Sequence, residues 1–113
     1  MAQQMSKQEH LQVASTIAQQ MGGTGRLKAM VGAHNLVFLS DTRDGGLAFD
    51  FKGSRKANKI RVELDRGADL YNVKLYKYNH RTGEIKTVYE GEGIYFDMLI
   101  DIFEMHTGLY LTL

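Results

Sequence analysis

Two neighbouring segments of this chain alternate with period two, and that pattern constrains the fold more than any other feature. Within residues 59–65, Ile60, Val62 and Leu64 alternate with Lys59, Arg61, Glu63 and Asp65. After Arg66-Gly67-Ala68-Asp69, residues 70–78 repeat the pattern, with Tyr71, Val73 and Leu75 on one face and Asn72, Lys74, Tyr76 and Tyr78 on the other. Successive side chains of a strand point to opposite faces, so these are half-buried strands joined by a tight turn. Antiparallel sheets of this kind bury one face and leave the other to water.

The same reading extends in both directions. Leu47, Phe49 and Phe51 alternate with Ala48, Asp50 and Lys52, and Leu36-Val37-Phe38-Leu39 reads as a strand before the turn Asp41-Thr42-Arg43-Asp44-Gly45-Gly46. Asn79-His80-Arg81-Thr82-Gly83 turns residues 70–78 into residues 84–90, and Gly91-Glu92-Gly93 is expected to end that strand. Residues 26–31 fit a short strand or a helical turn equally well.

Helices flank this β region. Ser6 and Glu9 have the spacing of a capping box, in which each satisfies an amide the helix leaves unpaired. Leu11, Ala14, Ile17, Ala18 and Met21 then form an apolar stripe, and Gly22-Gly23 stops the helix. Gln8, Gln12, Gln19 and Gln20 make its uncharged outer face. A last helix over residues 94–106 would bury Tyr95, Met98, Leu99, Ile102, Phe103 and His106, with residues 109–113 packing back on the body. The expected architecture is α+β: helix, about four antiparallel strands, helix, with both helices on one sheet face.

Residues 1–113 read as one globular domain, because no Pro-rich, Ser-rich or low-complexity linker and no internal repeat divides them. Leu, Ile, Val and Phe make up about a quarter of the chain, above the roughly 20% below which disorder is the default. The chain has no cysteine, which excludes disulfides, thiolate zinc sites and thiol nucleophiles. No apolar run reaches the roughly 18 residues of a membrane span, and residues 1–12 lack a signal-peptide core.

The chain shows no constellation for catalysis. His10, His34, His80 and His106 form no metal-ligand spacing. Asp97, Asp101 and Glu104 fall on one helix face, where a solvated polar surface explains them better than a cation site. The turn beginning at Asp41 lacks the alternating ligands and the distal Glu of a calcium loop. Gly22-Gly23-Thr24-Gly25-Arg26 follows a helix, whereas a phosphate loop follows a strand. Ser6, Ser15, Ser40 and Ser54 lack the surroundings of a nucleophile elbow. The expectation is a non-enzymatic protein without cofactor or metal.

Charge carries more information than motif. Fourteen basic residues nearly balance thirteen acidic ones, yet residues 52–83 hold nine basic against three acidic, and residues 84–113 one against six. Alternation places Lys52, Lys59, Arg61, Lys74, Tyr76, Tyr78 and Lys86 on the solvent face of the sheet, with Arg55 and Lys56 in the adjoining loop. Aromatic rings among cations on an open sheet are a platform for single-stranded nucleic acid. Exposed sheets also commonly carry tyrosines and long cations for no such purpose.

Gly22-Gly23 followed by Ala29-Met30-Val31-Gly32-Ala33-His34-Asn35 resembles a stretch of small bacteriophage and prophage proteins of comparable length. Leu70-Tyr71-Asn72-Val73 and the closing segment, from Gly93-Ile94-Tyr95-Phe96 through Phe103 to Thr107-Gly108-Leu109-Tyr110, resemble the same family. Leu27, Val31 and His34 stand where those proteins carry an aromatic residue, a Thr and a Lys. The resemblance implies a phage accessory product acting in the bacterial cytoplasm, and it brings no catalytic or binding residue with it. The resulting expectation is binding of a protein target, such as a host defence or nucleic-acid-processing complex. Nucleic-acid binding through the open sheet face is the alternative. Open sheet edges and the Gln-rich helix face also point to a homodimer.

Overall fold

The structure, a computed structural model, describes residues 6–111. Helices α1 (Lys7–Gln20) and α2 (Thr24–Val31) precede strands β1 (His34–Phe38), β2 (Gly46–Asp50), β3 (Lys59–Asp65), β4 (Leu70–Tyr78) and β5 (Ile85–Ile94). A 3-10 turn, Phe96–Met98, leads into α3 (Leu99–Thr107). The strands form one antiparallel meander in the order β1-β2-β3-β4-β5. The fold is thus α+β, with five strands among the described residues where about four were expected and three helices in place of two.

The additional helix resolves residues 26–31. Leu27 and Val31 lie one turn apart and are both buried, and Gly32 ends α2 in the left-handed region at φ 63°. In α1 the capping box forms as expected: Glu9 N–H donates to Ser6 Oγ at 3.2 Å, and Ser6 N–H to Glu9 Oε1 at 3.3 Å. The stripe is rotated from the expected one. Leu11 is 47% exposed, and His10 is buried in its place, stacked on Phe38 at 6.0 Å. At 3.6 residues per turn His10 falls near the centre of the arc formed by Ala14, Ile17, Ala18 and Met21, whereas Leu11 falls at its edge beyond Ala18, so the buried side is turned toward His10.

Alternation in the central strands holds. Phe49, Ile60, Val62, Tyr71, Val73 and Leu75 are all buried, while Lys59, Arg61, Lys74, Tyr76 and Tyr78 remain partly open to solvent. α1 lies against β1 and β2, α3 reaches β5, and the buried side chains join into one core. Phe103 of α3 meets Phe51 edge-on at 4.9 Å within it.

The strand β5 departs most from expectation. It does not stop at Gly91-Glu92-Gly93 but runs to Ile94, through register shifts opposite β4 on both sides of Leu75. A Cβ at Gly91 would meet the Tyr89 ring, which stacks on His106 of α3 at 4.1 Å. Gly93 supplies a positive φ of 67° at the upper shift. These glycines shape the strand; they do not break it. Because β5 claims Ile94, the last helix begins at Leu99, and its buried side is Leu99, Ile102, Phe103 and Thr107. Tyr95 and Met98, expected on the buried stripe, are 60% and 42% exposed.

Beyond α3 the chain packs back as expected, with Leu111 buried and its N–H donating to Glu104 Oε2 at 2.7 Å. The same expectation for residues 112 and 113, and the reading of residues 1–5, lie outside the described residues. Among the described residues no helix is long and apolar enough to cross a membrane.

Candidate functional site

Three surfaces bear on function: the open sheet face, the loop between β2 and β3, and the exposed side chains of α3 and the residues flanking it. Cross-strand pairing builds the first in rows, since directly opposed residues share a face. One row runs Ala48, Arg61, Lys74 and Glu90; the next runs Asp50, Lys59, Tyr76 and Thr87. This brings Lys59, Arg61, Lys74, Tyr76 and Tyr78 together as the alternation requires.

The cations of that face are paired. Lys59 Nζ lies 2.7 Å from Asp50 Oδ1, and Asp50 also accepts from Asn35 Nδ2 at 3.1 Å. Burial works to raise the Asp50 carboxyl, but these two donors outweigh it and hold the group below the ordinary aspartate range. Arg61 contacts Glu63 at 2.6 Å and Asp41 at 3.1 Å, and Lys74 contacts Glu90 at 3.6 Å. The aromatic members are engaged as well: the Tyr78 ring carries Lys59 Nζ 5.5 Å from its centroid and meets His80 edge-on at 4.7 Å. The positive potential expected of this face is largely neutralised within it.

Lys86 does not belong to the face. The register shift between Tyr89 and Thr87 reverses the alternation, so Thr87 opposes Tyr76 while Lys86 opposes Lys77 on the helix side. Lys52, Arg55 and Lys56 lie in the β2–β3 loop, and all three are exposed. The Lys52 side chain runs over Gly32, and its N–H donates to the Val31 carbonyl at 2.8 Å.

This basic loop is firmly held. Ser54 Oγ donates to the Thr107 carbonyl at 2.6 Å and accepts from Lys56 N–H at 3.1 Å. Asn58 clamps Tyr78 by accepting its N–H at 2.8 Å and donating to its carbonyl at 2.9 Å. Ala57 is fully buried between these anchors.

The surface around α3 was missed in the sequence. Tyr95, Phe96, Met98, Met105 and Tyr110 are 42–70% exposed, with Asp97 and Asp101 exposed between them. The signal was present in the Gly91 and Gly93 positions, which extend β5 and so displace Tyr95 and Met98 from the helix. Among the described residues no three His, Asp or Glu side chains gather as a metal ion would need. No protein-family model, curated protein or solved structure matches the chain.

Proposed function

We propose that this chain is a small non-enzymatic phage or prophage accessory protein that binds a protein target, of the class of a host defence or nucleic-acid-processing complex. The observation that carries the reading is the exposed set Tyr95, Phe96, Met98 and Met105, interrupted by Asp97 and Asp101. Aromatic and methionine side chains are enriched where protein partners meet, and four of them stand uncovered here between residues 95 and 105. The two carboxylates suit a partner whose apolar groove has a basic rim. The bacteriophage resemblance supports the setting.

Nucleic-acid binding on the open sheet has less support, because a phosphate there would have to displace Asp50 from Lys59, Glu63 from Arg61 or Glu90 from Lys74. The test is affinity capture from bacterial host cells, with and without nuclease, using wild type, Phe96→Asp with Met105→Asp, and Tyr76→Ala with Tyr78→Ala. A protein retained through nuclease treatment and lost only with the first double variant supports the reading. Retention that vanishes with nuclease and with the tyrosine variant overturns it.

A further inference from the structure

The end of the sheet beside the β2–β3 loop has the chemistry of an anion site. A cavity of about 340 Å³ opens there, at the low end of the size of small-molecule pockets. Its lining includes Lys52, Lys59, Lys77, His34 and His80 against one carboxylate, Asp50, which Lys59 already contacts. Among the described residues Lys52 and Lys77 make no ion pair, in contrast to the paired cations of the open face. His34 Nδ1 donates to the Gly32 carbonyl at 2.8 Å, so the neutral ring offers only an acceptor at Nε2 and the contacts to an anion fall to the lysines.

A second observation points the same way. Lys77 and Lys86 oppose each other directly on β4 and β5, an arrangement that is unfavourable without an anion between or beside them. Lys77 Nζ lies 3.5 Å from the Ser54 carbonyl, which ties this lysine pair to the loop that carries Arg55 and Lys56. Ser54 and Asn58 hold that loop in place, and Lys52 is its one cation that lines the cavity, so this charge is positioned before any ligand arrives. Bringing like charges together on a held frame opposes folding, and binding of an anion relieves that opposition.

We infer that this pocket binds the phosphate dianion of a small phosphorylated ligand, with Lys77 and Lys52 as its principal contacts. A compact phosphate or pyrophosphate group fits better than a nucleic-acid backbone. The cavity is confined to the end of the sheet, and a chain leaving it across the open face would meet Asp50, Glu63 and Glu90.

Calorimetric titration of the purified full-length protein with inorganic pyrophosphate, alongside a 5′-hydroxyl oligothymidylate, tests this inference. Saturable one-to-one binding of pyrophosphate is expected, weakened about tenfold or more by Lys77→Met and by Lys52→Met, as loss of a charge-assisted contact requires. Lys74→Met, on the open face, should leave the affinity unchanged. Absence of saturable binding, equal weakening by Lys74→Met, or binding of oligothymidylate but not of pyrophosphate would each overturn it.

Discussion

The side-chain amide of Asn58 takes the place of a strand residue opposite Tyr78, accepting its N–H at 2.8 Å and donating to its carbonyl at 2.9 Å. One side chain thereby satisfies both backbone groups at the end of β4 and fixes where the basic loop rejoins the sheet. Asn58→Ala leaves both groups without their partner and should lower stability by about 1–3 kcal/mol in urea denaturation. Asn58→Asp keeps the acceptor but not the donor and should fall between. A neutral Asn58→Ala would show that the clamp contributes nothing.

Gly46 opens β2 where the chain passes closest to its neighbours. A Cβ there would collide with the Val62 carbonyl oxygen and lie 2.9 Å from Leu39 Cδ1. Both obstacles are parts of the core or the ladder and cannot swing aside. Gly46→Ala should therefore destabilise by about 1–3 kcal/mol, the usual range for overpacking, measured by thermal unfolding.

The helical corrections make paired predictions. Ile17 is fully buried and Leu11 is 47% exposed, although both lay on the stripe expected from sequence. Ile17→Ala should cost about 2–5 kcal/mol, whereas Leu11→Ala should stay within about 0.5 kcal/mol. Equal losses at the two positions in chemical denaturation would restore the original stripe.

The centre of this fold was legible because strict alternation admits only one pair of faces, and Ile60, Val62, Tyr71, Val73 and Leu75 obey it without interruption. Legibility failed where the backbone breaks its own period. The shift at Val88 sends Lys86 to the other face, and the glycines of β5 shape a bulged strand in a pattern that also reads as a stop. From that one error followed the early start assigned to the last helix and the loss of Tyr95 and Met98 from the candidate surface. Charge was legible as composition, and alternation also places Asp50 and Glu63 among the cations of that face, but the pairing of Arg61 with Asp41 was not legible, because it joins residues twenty positions apart.

Acid should weaken the fold through two aspartates. The hydrogen bond from Arg43 chiefly holds the Asp44 carboxyl below its ordinary value; for Asp50, burial opposes but Lys59 and Asn35 prevail. A carboxyl depressed in the folded state stabilises above its unfolded value, near 3.9, and loses that contribution as pH falls through the lower folded value. Urea midpoints should hold steady from neutral to about pH 5 and drop below about pH 4. Asp50→Asn should be less stable at neutral pH and show a shallower acid drop. An unchanged drop would remove Asp50 from the account.

Partner contact through the exposed aromatic and methionine side chains from Tyr95 to Met105, and not through the open sheet, is most directly measured by site-specific photo-crosslinking in host cells. A photoreactive residue at Phe96 or Met105, both largely exposed, should join the chain to a discrete protein species. The same residue at Tyr76 should not. Crosslinks to nucleic acid or protein at Tyr76, with none at Phe96 and Met105, would contradict the assignment.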